Sequence, residues 1–537
     1  GFTKKTKSDN ALIKLTLDGL SGRVAYSRRR SATPELADTS SGYTGNLAYS
    51  FKPWWNHALR LYRGYMLSYL PEGIDLAVSG STRSSSQVDK RQGLVKQTRY
   101  TRDIKGDFGI AFKPLSGQSL QTDYSLKTTR DLDQNKQVPI VSSIGAGHEL
   151  KRNQRATVTL TPSLGKLLRP TVSYDVNYDE NADPSVRAAT DPAGIRRASA
   201  SSRSNLDLVI QPSSILETPG KTDSTGVPFY RRLLGVLPDV DLGYFIDRSA
   251  KYNKLTQRPG LRFQLGIDPE VDKDLILKTS GSGTAVQASD EITRNTGLDL
   301  STELNPVQNL SVTAKYKRDV KNRRYAGATT FDRETSWPDI AGNVTSVTHL
   351  PLIDGALKTS SLTMGYKGTS SVSGEASTET NRSGGADWAP LFGWDATWQN
   401  GLRTTINVRH TSSHTEDLKG NGSLRKAVSN SATFTLRHSF AAPEGMHIPL
   451  AGRTLRFKSS LTVSLDLSYE SHLETTPSSK NRVEKSTREI TVSPKASYSF
   501  SKNVTGSADA RFDQTTDRQL GQTRRTIGLN VSVLIRF

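Results

Sequence analysis

From Thr526 onward, apolar residues fall on every second position: Ile527, Leu529, Val531, Val533, Ile535 and Phe537. Between them stand Gly528, Asn530, Ser532, Leu534 and Arg536. A period of two marks a strand with one apolar and one mostly polar face. Domain ends often fray, yet this end is the most strand-like stretch of the sequence. In a closed membrane barrel the last strand is paired and leaves no free edge. The stretch predicts a membrane-facing terminal strand. A buried terminal strand in a soluble sandwich is the competing reading.

The same period recurs along the chain. Tyr43, Gly45, Leu47, Tyr49 and Phe51 alternate up to Pro53, and Phe108, Ile110 and Phe112 alternate up to Pro114. Proline has no N–H for the ladder, so each run should stop there. Leu298 to Leu304 closes on Asn305-Pro306, and Leu310, Val312, Ala314 and Tyr316 reopen at once, which predicts a hairpin. Val172/Tyr174/Val176/Tyr178, Leu261/Phe263/Leu265/Ile267 and Leu461/Val463/Leu465/Leu467/Tyr469 read as further strands. In all there are roughly twenty candidates, many near the 9–11 residues of a tilted membrane strand.

Other stretches break the pattern. Residues 29–42 read as a loop, and 179–204, 268–295 and 318–355 as long polar loops, the last with Trp337-Pro338 as an apolar island pinning it. Residues 53–71 are the most aromatic segment, opening on Trp54 and Trp55. They predict an interfacial element or a cluster packing a loop onto the wall. Tyr178, Tyr316, Tyr366, Tyr469, Phe500 and Phe512 close alternating runs and, with the two tryptophans, fit an aromatic girdle.

Composition narrows the choice. Only 34% of the 537 residues are hydrophobic, too few to fill two large cores easily but enough for one apolar face. The alternating placement of 18 Tyr and 15 Phe argues against disorder. The net charge of +20 is spread along the chain without a nucleic-acid motif. A surface facing lipopolysaccharide phosphates or a basic lumen accounts for it better. No run approaches the roughly 20 apolar residues of a membrane helix. The chain opens Gly1-Phe-Thr-Lys-Lys, which reads as a cleaved or excised product.

Candidate chemistry is sparse. Cysteine is absent, which removes disulfides and thiolate sites. The eight His are scattered, and no converging set for catalysis, metal or cofactor is visible. Acidic pairs such as Asp299/Glu303 read as lumen-facing ion-pair partners. The chain is read as a non-enzyme without cofactor.

The stretches Leu461-Thr-Val-Ser-Leu-Asp-Leu-Ser468 and Ser493-Pro-Lys-Ala-Ser-Tyr-Ser-Phe-Ser-Lys-Asn-Val-Thr-Gly506 resemble the closing strands of the SprA/Sov family. Phe51-Lys-Pro53 and Pro238-Asp-Val-Asp-Leu242 look similar too. The resemblance implies a translocon of type IX secretion, linked to gliding motility, with a very large barrel, a central pore and periplasmic and surface partners. This chain is short for such a barrel, as a fragment or a reduced relative would be.

The expectation is therefore an all-β protein: one region, residues 1–537, forming a large antiparallel transmembrane β-barrel, or a large part of one completed by another chain. Its expected place is the bacterial outer membrane. Its expected partners are lipid and lipopolysaccharide, other chains of a membrane complex and exported protein cargo. The function expected is a protein-conducting pore. The alternatives are a non-conducting barrel anchoring a surface or periplasmic complex, and a barrel enzyme acting on lipid or polysaccharide.

Overall fold

The computed structural model describes the chain apart from residues 1, 4–9, 11–12, 14–15, 54–57, 61–65, 116–119, 132–147, 163, 166, 187–190, 193, 213–237, 278–289, 308, 347–354, 420–421, 441–445, 449–452, 456–460, 478–481, 500–503 and 536–537. Among the described residues are twenty strands of at least 12 residues. The first ten are β1 Leu20–Ala32, β2 Leu36–Phe51, β3 Gly73–Asp89, β4 Val95–Leu115, β5 Leu120–Asp131, β6 His148–Leu160, β7 Leu168–Asn181, β8 Arg196–Ile210, β9 Val240–Leu255 and β10 Glu291–Val307. The others are β11 Leu310–Tyr325, β12 Ala328–Thr345, β13 Leu357–Glu375, β14 Thr378–Trp398, β15 Arg403–Asp417, β16 Ser423–Phe440, β17 Leu461–Pro477, β18 Arg482–Ser499, β19 Val504–Asp517 and β20 Gln522–Ile535. The fold class expected from the sequence is the one observed: all-β and antiparallel, on the scale of a large outer-membrane barrel wall.

Contacts divide the chain into two compact units. One holds Gly1–Leu208, Gly243–Thr296 and Lys321–Thr329; the other holds Val209–Leu242, Gly297–Val320 and Thr330–Phe537. In the first, β1 to β7 pair in sequence order, each antiparallel to the next. In the second, β12 to β20 do the same.

Register shows why alternation in the sequence becomes a two-faced wall. Directly paired residues share a face. In the second unit Val344, Leu362, Trp394, Ile406, Phe434, Leu467, Val492, Phe512 and Ile527 stand in one row across nine strands. In the first, Phe51, Ile74, Ile110, Tyr124, Ala156 and Val176 form such a row across six. A one-residue slip in any strand would turn its apolar set to the other side. Much of this face is uncovered, as Val24, Tyr26, Leu47 and Val78 illustrate. On β20 every described residue is exposed, on both faces, and Ile527, Leu529, Val531, Val533 and Ile535 are 80%, 78%, 69%, 60% and 53% exposed. Over β1 to β3 large apolar side chains of the apolar face stand exposed rather than packed in a core.

Several sequence expectations are corrected. Residues 29–42 are not a loop: β1 runs to Ala32 and β2 starts at Leu36. Most of 318–355 is strand, in β11 and β12. The strand β8 takes up 196–204 of the expected loop 179–204, and β10 begins at Glu291, inside the expected loop 268–295. These stretches carry polar residues on both faces, so the period of two lapses while backbone pairing continues. Trp337-Pro338 pins no loop. It lies within β12, where the register to β13 shifts between Ser336 and Asp339, as expected where proline cannot join the ladder. In the segment 53–71, Ala58–Arg60 pairs with Met66–Ser68. Trp54, Trp55, Phe500 and Phe537 lie outside the described residues.

Candidate functional site: the polar wall and a clamped flap

The other face of each unit is lined by small hydroxyl residues and cross-strand charge pairs. In the second unit Asp466, Thr435, Thr405 and Asp395 form one row across β17 to β14. Thr435 donates to Asp466 at 2.8 Å and Thr405 to Asp395 at 2.9 Å. Arg403 also reaches Asp395, at 3.0 Å, and Arg409 takes Asp387 in two hydrogen bonds, the shorter 2.7 Å. Thr491 and Arg511 share Asp513, each at 2.7 Å, and Asn530 donates to Asp509 at 3.1 Å. In the first unit Arg23, Asn46, Ser79, Lys105 and Thr129 make a row. Arg155 pairs with Asp175 at 2.9 Å, and Asn153 bridges to Asp179 at 2.7 Å. An open hollow of about 470 Å³ on this side is bordered by Arg29, Asp38, Ser40, Arg83 and Ser85. Charges of both signs this exposed are at home only in water.

On the apolar side of the first unit, residues 256–277 fold back over the ends of β7, β8 and β9 as a flap. Arg258-Pro-Gly260 ends the strand direction, and Leu261–Gln264 make one helical turn. The predicted strand at Leu261/Phe263/Leu265/Ile267 is thus corrected: Phe263 points in, while Leu261, Leu265 and Ile267 are exposed. Phe263 meets Tyr252 at 5.7 Å and Tyr178 edge-on at 6.2 Å between ring centroids. Ala198, Ala200 and Ala250 leave room for these rings. The flap's backbone is tied to the wall: Tyr174 donates to the Leu265 carbonyl, Ser202 to Gly266 at 2.9 Å, Arg248 to Ile267 at 3.2 Å and Tyr252 to Pro269 at 3.2 Å. Gly266 has φ +64°, and a Cβ there would sit 2.6 Å from Ser202 Cβ, so only glycine fits.

An ion cluster fastens the flap's start. Arg258 reaches Glu180 at 2.6 Å and Glu149 at 2.8 Å, residues 78 and 109 positions away. Arg196 also pairs with Glu180, and Arg152 with Glu149 at 2.7 Å. The Tyr178 hydroxyl donates to Glu180 at 2.7 Å. Burial works against the charge on Arg258, but the hydrogen bond and charge of Glu180, and the charge of Glu149, hold it above the usual guanidinium range.

Tyr178 is therefore not a girdle residue. It is fully buried, because the flap covers the end of its face. Tyr366, Tyr469 and Phe512 stand in register with apolar partners, namely Ile340, Ile490 and Ile527. Tyr316 packs against Trp337 at 6.0 Å. Sequence reading missed the flap and its ion cluster; Pro259-Gly260 was the one local signal. Among the described residues no group of three or more His, Cys, Asp or Glu is placed to hold a metal ion.

No family model matches the chain, and no curated protein matches it. Among solved structures, the siderophore receptor PirA from Acinetobacter baumannii is similar at 10% identity and TM-score 0.22, over 96% of this chain and 80% of that one. The FrpB iron transporter from Neisseria meningitidis is similar at 9% and 0.23, over 98% and 83%. The outer membrane transporter YddB from Escherichia coli is similar at 11% and 0.24, over 96% and 80%. Similarity at this level carries no weight for what this chain does; the two-faced antiparallel wall rests on its own strands and registers.

Proposed function

We propose that the chain forms the wall of an outer-membrane pore, with its apolar face in lipid and its polar face around a wet passage. The observation that carries the reading is the pairing of two uninterrupted surfaces. One is the apolar row over nine strands. The other is the row Asp466–Thr435–Thr405–Asp395 and its arginine partners on the reverse side. The strands, at 12 to 21 residues, exceed the 9–11 that a membrane strand needs. Twenty or so strands would enclose a lumen far wider than an eight-stranded, side-chain-filled barrel.

The cargo we propose is protein, from the resemblance of the closing strands to the SprA/Sov family. A deletion strain tests it. We expect a defined set of exported proteins to vanish from surface and medium while small-solute uptake is intact. Normal secretion with impaired uptake of a small solute would overturn the protein cargo and keep the pore. Normal secretion and uptake with detached surface structures would overturn the pore in favour of an anchor.

A further inference from the structure

We propose that the flap is a lipid-contacting foot, its lower tip seated in the interface of the bilayer that surrounds the wall. The inference rests on the outer-membrane reading and adds a second, non-strand element to the membrane contact. The flap lies on the apolar side of the wall, and its course along β9 is graded. Leu277 N–H donates to Lys254 O at 3.0 Å at the strand's end, Pro269 lies against Tyr252, and Ile267 against Arg248. Residues 265–267 therefore reach furthest along the wall toward its exposed apolar band. There they meet Tyr174 and Ser202. Just beyond, Val172, Leu206 and Tyr244 are 41%, 36% and 37% exposed.

The side chains of the flap are sorted to match. At the tip Leu265 and Ile267 are 36% and 55% exposed, and Leu261 on the helical turn is 71% exposed. Leaving them in water forgoes the transfer free energy of three large aliphatic groups. On the part that climbs back, Glu270, Asp272 and Asp274 are exposed, as groups kept out of lipid would be, while Asp268 stays at the tip with its N–H on the Arg262 carbonyl at 3.2 Å. Arg262 is exposed beside Leu261, placed for a headgroup phosphate. The occupant that fits a continuation of the apolar band, a cation beside it and most acids further back along the flap is the interfacial layer of a bilayer.

The chain has no cysteine, so single cysteines can be labelled uniquely. Ile267→Cys, Val172→Cys and Asp272→Cys would carry an environment-sensitive fluorophore in the full chain, reconstituted in phosphatidylglycerol-containing vesicles. We expect blue-shifted emission, quenched by shallow nitroxide lipids, at Ile267→Cys and Val172→Cys, and neither effect at Asp272→Cys. Quenching at Val172→Cys without quenching at Ile267→Cys overturns the foot and leaves the membrane wall standing. Quenching at neither site overturns the membrane reading itself. Equal quenching at Asp272→Cys and Ile267→Cys overturns the graded seating.

Discussion

Arg258→Ala frees the flap. The substitution leaves the Glu180 side chain, 3% exposed, with Arg196 and Tyr178 but without its second guanidinium. Removing one partner of a buried pair costs about 3–5 kcal/mol. The low end applies, because Arg196 still holds Glu180 and Arg152 still holds Glu149. The loss falls on flap docking rather than on the whole wall, since the flap can open locally while β7 to β9 stay paired. About 3 kcal/mol raises the open fraction roughly a hundredfold. Limited trypsin digestion reads this out, because Arg262 and Lys273 lie on the flap and are exposed. Cleavage there should accelerate in Arg258→Ala and hardly change in Arg324→Ala. Arg324 pairs with Glu270 at 3.0 Å but in the open, where a pair is worth about 0–1 kcal/mol. Equal digestion of wild type and Arg258→Ala would show that the aromatic contacts of Phe263 hold the flap without the ion cluster.

Val533→Lys blocks assembly, and Ser532→Lys does not. The two positions are neighbours on β20, and both are exposed. They differ in face. Val533 pairs with Gly506 on the apolar side; Ser532 pairs with Ser507 on the polar side, at 2.7 Å between hydroxyls, near Asp509. A lysine at the bilayer midplane costs about 2–4 kcal/mol in a membrane barrel. On the polar side the ammonium stays hydrated. The fraction folded into vesicles, followed as the heat-modifiable band on a denaturing gel, should fall sharply for Val533→Lys alone. Similar folding of both variants would mean that the apolar side of β20 does not face lipid.

What the sequence made legible follows from the physics of a one-layer wall. Each strand carries its own inside and outside, so Leu461 to Tyr469 or Ile527 to Ile535 can be read alone, without knowledge of partners. Proline was a less even guide: β2 ends at Phe51, just before Pro53, but β4 runs past Pro114 to Leu115 and β10 past Pro306 to Val307, so those two expected stops are corrected. Strand bounds were lost where both faces are polar. In Arg318 to Tyr325 the strand persists with little apolar face to betray it, and around Arg196 to Ser204 the covered face offers only small residues, Ala198, Ala200 and Ser202. The flap was illegible for a different reason. Leu261, Phe263, Leu265 and Ile267 alternate like a strand, but a single helical turn sends Leu261 and Leu265, four apart, to the same exposed side. The ion cluster joins residues 78 and 109 positions apart, so no window of sequence contains it. Tyr178 followed its predicted face, but nothing near it in sequence says that residues 256–277 return to cover that end.

In the proposed pore wall a single strand separates lipid from water with every step. The direct measurement is a cysteine scan of residues 526–533 in the full chain, reconstituted in vesicles and exposed to a charged, water-soluble maleimide. Thr526, Gly528, Asn530 and Ser532, replaced one at a time, should react rapidly. Ile527, Leu529, Val531 and Val533 should be protected, and should become reactive when the bilayer is dissolved and the chain unfolded. Uniform reactivity along the stretch, or protection that does not alternate, would mean that β20 has no lipid-facing side.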